Sequence, residues 1–270
     1  MEKQNDIPLR EFQLILLGIL KDVADVCRKN DIRFYLGEGS MLGAVRHSGF
    51  IPWDDDIDIL MYRDDYEKFL EVAPKALGSR YEVQARGLTE NFWNVYGQVR
   101  LITDDERLCQ GYISHLLKNN GPFVDIFPMD YVPKASGAGV SFNSFRIKLY
   151  KAMLTYKFKV CAPASPKGKV INILSKLYKS DSLFKKIKKI SKKHDKEKLE
   201  YTVSYYTTHP IKNQVAPSSC YDEVLEIDFE DTKMPVPKGY DEVLTIIYGD
   251  YMTPPKEAQR VQKHSIGSEN

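Results

Sequence analysis

The chain has 270 residues, of which 43% are hydrophobic and 28% charged, and its formal net charge is +2. That is enough apolar material for one large domain, or a catalytic domain with an appendage, and it excludes disorder of the whole chain. It also excludes a membrane-spanning helix, because the longest apolar run, Leu14 to Leu20, falls far short of the roughly 20 residues a span needs.

Leu9 to Arg28 reads as a helix: Leu9, Phe12, Leu16, Ile19, Leu20, Val23 and Val26 recur every three or four residues. Ile32–Leu36 is a short β-branched and aromatic strand ended by Gly37. Ser40 is the expected N-cap of a short helix reaching His47. A Gly/Pro loop follows to Trp53. Ile57–Met61 is a second strand, and Asp64–Leu77 an amphipathic helix with Tyr66, Phe69, Leu70 and Leu77 inward. Residues 81–86 and 93–102 are predicted strands, as is Phe123–Phe127 after the Gly121-Pro122 turn. The pattern is helical over 142–198, broken by prolines near Ala162–Lys167. Two short strands flank Glu230-Asp231 within 223–237, and a last helix spans Tyr240–Tyr248. No internal repeat is found. The layout predicts a mixed α/β (α+β) front at residues 1–139, a basic helical segment at 140–200, and a small mixed part at 201–270 that completes the domain.

Charge is unevenly spread. Residues 146–198 carry 17 of the 39 Lys/Arg but only three of the 37 acids, Asp181, Asp195 and Glu197. Lysines alternate there with Leu174, Leu177, Leu183, Phe184, Ile187 and Ile190. Such a segment is either a solvated helical face or a cationic amphipathic surface for an anionic membrane. No nucleic-acid-binding module is visible, so nucleic acid is not an expected partner. The cysteines at 27, 109, 161 and 220 form no C-x-x-C pair, which predicts reduced thiols rather than a zinc site or disulfide scaffold. With no secretory signal recognisable, the expected location is cytoplasmic.

The informative stretch is Tyr35–Met61, YLGEGSMLGAVRHSGFIPWDDDIDILM. On a strand, Asp56 and Asp58 share one face while Ile57 and Ile59 share the other. Two carboxylates held this close repel unless a cation lies between them, and magnesium takes such oxygen ligands together with substrate phosphates. Gly37-Glu38-Gly39-Ser40 allows close backbone approach and offers a helix N-terminus to a phosphate. It is neither a dinucleotide fingerprint nor a P-loop. Asp125, flanked by β-formers in FVDIF, is a candidate third carboxylate.

These residues resemble the nucleotidyltransferase-fold active site. More narrowly, the runs GEGSMLGAVRHSGFIPWDDDIDI, GPFVDIFPMD and YGDYMTPP resemble the LicD family of phosphocholine and polyol-phosphate transferases. The resemblance implies a nucleotidyltransferase-like mixed sheet core. It also implies transfer of a phospho-alcohol from a CDP-linked donor to a sugar on a glycan or teichoic-acid precursor, with CMP leaving. The acceptors implied include lipid-linked saccharides, so the protein is expected to work peripherally on the inner face of the membrane. On this reading Asp56 and Asp58 bridge two Mg²⁺ ions, with Mn²⁺ an alternative, and Asp125 holds one ion and takes the acceptor's proton. Gly39 and Ser40 hold donor phosphates.

Several further residues are candidates. Arg46 and His47 can neutralise phosphate charge. Glu38, in an exposed setting between glycines, can contact donor or metal-bound water. Arg100 can reach phosphate from the strand that carries Tyr96. Trp93, Tyr96 and Tyr112 are candidates for an aromatic box around a quaternary ammonium. Arg260 and His264 sit one helical turn apart in the tail. Trp53 abuts the acids and packs their loop. Two rival readings remain: a nucleotidyltransferase releasing pyrophosphate from an NTP, and an inactive basic protein that binds lipid or nucleic acid.

Overall fold

A computed structural model describes residues 7–134, 137–207 and 209–260. Helix α1 (Leu9–Lys29) buries Phe12, Leu16, Ile19, Leu20, Val23 and Val26, the stripe its periodicity predicts. Strand β1 keeps only Tyr35–Leu36 of the expected run, paired antiparallel with the next strand. Its missing residues are committed elsewhere: the Ile32 amide donates to Cys27 O at 3.0 Å, and the Arg33 amide to Asp65 Oδ1 at 3.1 Å. Neither amide is left for a ladder. Helix α2 (Glu38–His47) has Gly37 as its N-cap, three residues ahead of the expected Ser40.

Strand β2 (Asp58–Tyr62) runs into α3 (Arg63–Ala76), followed by β3 (Tyr81–Gln84), β4 (Gly97–Leu101) and β5 (Phe123–Val132). The sheet order is β1-β2-β5-β4-β3, with β2 and β5 parallel and the other neighbours antiparallel. Strand β5 is twice as long as FVDIF predicts. Its second half pairs with β6 (Tyr201–Val203), which pairs with β7 (Val215–Pro217), so residues beyond 200 extend the same sheet.

Gly97 and Val99 of β4 point to the α3 side, where a Cβ on Gly97 would meet Leu70 and Tyr66 at 3.3–3.4 Å. Val99, Val124 and Ile126 are fully buried on that face. Gln98 and Asp125, one residue out of phase, point to the other side. A buried bidentate pair braces the arrangement: Arg63 Nε and Nη2 donate to Asp130 Oδ1 and Oδ2 at 2.8 and 2.7 Å.

The basic segment forms three helices, α4 (Ala138–Lys157), α5 (Pro166–Lys176) and α6 (Ser180–Ser191). Pro166 opens α5, with Ser165 accepting from the Gly168 amide at 3.1 Å as N-cap. Helix α6 departs from the reading of 146–198 as one free amphipathic surface: its Leu183, Ile187 and Ile190 are buried in the core. Only its lysine side faces out. A hairpin of β8 (Val224–Phe229) and β9 (Thr232–Pro237) turns at Glu230-Asp231, and α7 (Tyr240–Tyr248) follows as predicted. All four cysteines are unpaired. Among the described residues, no helix is long and apolar enough to cross a membrane.

Candidate active site

The site grows from the parallel pairing of β2 and β5, which sets Asp58 directly opposite Asp125. Neighbouring strands lie ~4.8 Å apart, so the two carboxylates rise side by side from one face. The ladder begins at Asp58, yet the extended run continues upstream, because the Asp125 amide donates to Ile57 O at 2.9 Å. Ile57 and Ile59 are buried on the opposite side. Asp56 joins the group through its field. Burial, then the charge of Asp56, then that of Asp125 push the Asp58 carboxyl well above its usual range. Asp125 is pushed up to about 6, chiefly by burial and, among the charges, by Asp56.

A second layer holds Asp125. Gln98 lies opposite it on β4, and its Nε2 donates to Asp125 Oδ1 at 2.7 Å, favouring the charged form. Gln98 Oε1 accepts from Arg100 Nη2 at 3.0 Å. Arg100 is fully buried. Its Nε donates to Gln84 Oε1 at 3.0 Å, and its Nη1 to Gln110 Oε1 at 3.1 Å and to Gly121 O. Burial brings this guanidinium down to about 10. From α4, the Lys151 ammonium stands 4.8 Å from the Tyr96 ring centre, and Tyr96 packs on Phe127 at 4.3 Å. Burial lowers the Lys151 pKa while the charge of Asp125 holds it up.

Helix α2 closes the other side. The Gly37 amide donates to Asp58 O at 2.8 Å, and the Asp58 amide donates to Ser40 Oγ at 2.9 Å. A Cβ on Gly39 would stand 2.8 Å from Asp54 Oδ2, so the bare glycine makes room for that carboxylate. Glu38 adopts φ +43°, an uncommon conformation for a residue with a side chain. It is buried, with Oε2 3.2 Å from His209 Nε2. The His209 ring meets Tyr248 edge-on at 5.1 Å. Burial, then Glu38, Asp58, Asp54 and Asp56, push the Tyr248 hydroxyl well above its usual range, which puts it within the field of the whole acidic group.

Beyond the acids lies a cationic end. Arg46 Nε donates to His47 Nε2 at 3.0 Å, and Arg46 Nη1 to Tyr251 O at 2.7 Å. Burial and then Arg46 lower the His47 pKa. The Arg260 guanidinium lies 5.2 Å from the Trp53 ring centre, near enough for its charge to lower the Arg46 pKa after burial does. Among the described residues, neither arginine forms an ion pair with a carboxylate. Two guanidiniums gathered in this way suit an anion.

Comparison with known proteins gives the family. The family described as "LicD/FKTN/FKRP, nucleotidyltransferase domain" matches residues 31–166. The lipopolysaccharide cholinephosphotransferase LicD of Haemophilus influenzae is 30% identical over 260 residues, covering 94% of this chain and 95% of that one. The chain belongs to the LicD family. The human ribitol 5-phosphate transferase FKRP is 39% identical over 57 residues, which cover 21% of this chain and 10% of FKRP. An uncharacterised protein of Rickettsia typhi, RT0683, is 42% identical over 69 residues, or 25% of this chain and 22% of its own length.

The structure brings the sequence candidates Asp56, Asp58, Asp125, Glu38, Gly39 and Ser40 together, with Arg46, His47 and Arg260 at one end. Four expectations need correction. Arg100 does not reach for phosphate, because its donors are taken inside the sheet. Ser40 is not an N-cap: it lies inside α2 and its oxygen receives the first amide of β2. Glu38 is not exposed, because the turn into α2 directs it onto His209. The aromatic box does not assemble: Trp93 packs on Phe92 at 5.8 Å in a separate cluster with Ile113 and Leu117, and the Tyr96 ring already faces Lys151. Tyr112 is exposed, though the charge of Asp125 acts on its hydroxyl. His264 lies outside the described residues.

Sequence reasoning missed Gln98, Lys151, His209 and Tyr248. Strand alternation through Tyr96 and Arg100 points to Gln98 between them. Nothing local separates Lys151 from the other basic residues of its segment.

The donor set is oxygen throughout, which fits a hard divalent cation. Among the described residues, no three His, Cys, Asp or Glu side chains are gathered closely enough to hold an ion by themselves.

Proposed function

We propose that the protein is a metal-dependent phosphotransferase. It moves a phospho-alcohol, phosphocholine or a polyol phosphate, from a CDP-linked donor to a sugar hydroxyl of a glycan or teichoic-acid precursor, releasing CMP. The observation that carries the reading is the gathering of Asp56, Asp58 and Asp125 beside Arg46 and Arg260, which among the described residues make no ion pair with a carboxylate, in a chain similar to a cholinephosphotransferase over nearly its full length.

Asp56, Asp58 and Asp125 are the residues that would hold Mg²⁺, as two ions on this reading. When bound, the metal would neutralise charge on the transferring phosphoryl group and its leaving group. Arg46 and Arg260 grip the donor phosphates, with Gly39 and Ser40 lining the floor at the start of α2. Asp125, steadied by Gln98, takes the proton of the attacking hydroxyl. A carboxyl near 6 is ionised at neutral pH and more basic than an ordinary aspartate, which suits that task. Lys151 tops the same carboxylate and can meet the negative charge of the group in transit.

The test is incubation with magnesium, a panel of CDP-alcohols and a saccharide acceptor, with CMP release measured against alcohol transferred. Stoichiometric CMP supports the reading. Pyrophosphate released from an NTP would replace it with nucleotidyl transfer.

A further inference from the structure

Helix α5 turns its most apolar stripe to solvent. Val170, Ile173, Leu174 and Leu177 stand at i, i+3, i+4 and i+7, on or just past the end of one helix face. A surface helix normally packs such a stripe inward. Here Val170 is 56% exposed, Ile173 63%, Leu174 38% and Leu177 76%. The cause is on the opposite face. Gly168 and Ser175 are buried there, and a Cβ on Gly168 would stand 2.7 Å from the Tyr156 hydroxyl of α4. Lys157 Nζ of α4 donates to Ser175 O at 3.4 Å. Helix α5 therefore docks on α4 through its small residues, which leaves the large apolar ones outside.

The surroundings of the stripe select its occupant. Lys167, Lys169, Lys176 and Lys179 flank it and are exposed, and no Asp or Glu occurs between Ala162 and Ser180. None of the four lysines forms a salt bridge among the described residues. A second copy of the chain would bring the same cationic rim against its own, and like charges oppose that contact. An anionic lipid surface satisfies both features: acyl chains for the stripe, headgroups for the lysines. Tyr178, 38% exposed at the end of the stripe, suits the headgroup boundary. Helix α6, equally basic, lacks the apolar half of this surface because its own stripe is buried.

We propose that α5 lies in the plane of an anionic membrane surface, with Val170, Ile173, Leu174 and Leu177 inserted and its lysines at headgroup level. The inference is independent of the transferase reading. It is tested by sedimenting the full chain with vesicles of phosphatidylcholine alone and of phosphatidylcholine with phosphatidylserine. Binding should require phosphatidylserine. It should be largely lost between ~0.1 M and ~1 M salt, where the Debye length falls from ~10 Å to ~3 Å. Lys176→Gln and Lys179→Gln should each weaken it roughly fivefold. Ile173→Asp with Leu177→Asp should weaken it by at least about tenfold without changing the melting temperature, since both side chains are already in water. Equal recovery on neutral vesicles would overturn the proposal, as would wild-type binding by the aspartate variant. A light-scattering dimer that the aspartate variant abolishes, in a chain that ignores both vesicles, would assign the stripe to a second copy instead.

Discussion

Replacing Asp125 by Asn separates chemistry from stability. In the unfolded chain this carboxyl ionises near 3.8, and in the fold at about 6. The native state therefore holds the proton more tightly, and ionisation opposes folding as pH rises through that window. Two units correspond to about 3 kcal/mol at pH 8, and roughly half of that at pH 5. Asn removes the penalty, stays neutral, and still offers Gln98 an oxygen to donate to. Some relaxation is available to a carboxylate at a partly open site, so the expected gain for metal-free Asp125→Asn at pH 8 is about 1–3 kcal/mol. That is a rise of several degrees in Tm, at about 2–4 °C per kcal/mol for a chain near this size. The gain should shrink toward pH 5. Turnover should fall by about 10²–10⁴-fold if Asp125 takes the nucleophile's proton. The assays are thermal melts in chelator across pH 5–8 and single-turnover CMP release at saturating magnesium. A variant less stable than wild type at pH 8, or a difference that does not change with pH, would refute the electrostatic account of the site. Wild-type turnover would remove Asp125 from the chemistry.

Gln98→Ala should leave Arg100 Nη2 and Asp125 Oδ1 without their shared partner, costing about 1–3 kcal/mol in denaturant melts and lowering single-turnover transfer more than donor affinity. Arg46→Ala and Arg260→Ala should each weaken donor binding by about 1.5–3 kcal/mol, measured by calorimetry at constant magnesium, and leave stability nearly unchanged. Gly43→Ala should destabilise by about 1–3 kcal/mol, because its Cβ would lie 2.5 Å from the Gly49 carbonyl oxygen, which is backbone and cannot swing away. Gly18→Ala, in the middle of α1 with nothing within 4 Å of the new Cβ, should instead stabilise by about 0.5–1 kcal/mol, so paired melts of the two variants check the packing around α2.

What could be read without the fold is what depends on neighbours in sequence. The 3.6-residue stripe of α1, the Glu230-Asp231 turn and the opposition of Asp56 and Asp58 to Ile57 and Ile59 follow from local geometry, and all three are present. The acidic centre was legible for that reason, together with a run of residues resembling a known family. The second tier was not, because it is made by pairing across the chain. Asp125 meets Asp58 only through the parallel β2–β5 ladder. Arg100 reads as a phosphate ligand until the sheet encloses it, and then its five donors must be satisfied internally, which turns it into a brace for Gln98. Lys151 comes within the field of Asp125 from α4, over the Tyr96 ring that packs on Phe127 of β5, and Glu38 meets His209 because β6 and β7 bring that loop to the sheet. Helices α5 and α6 show the same division most sharply. Both read as lysine-rich and amphipathic, and hydrophobicity alone would bury both stripes. Tertiary packing buried the one on α6, while the small residues Gly168 and Ser175 drew α5 onto α4 by its other face and left its stripe in water.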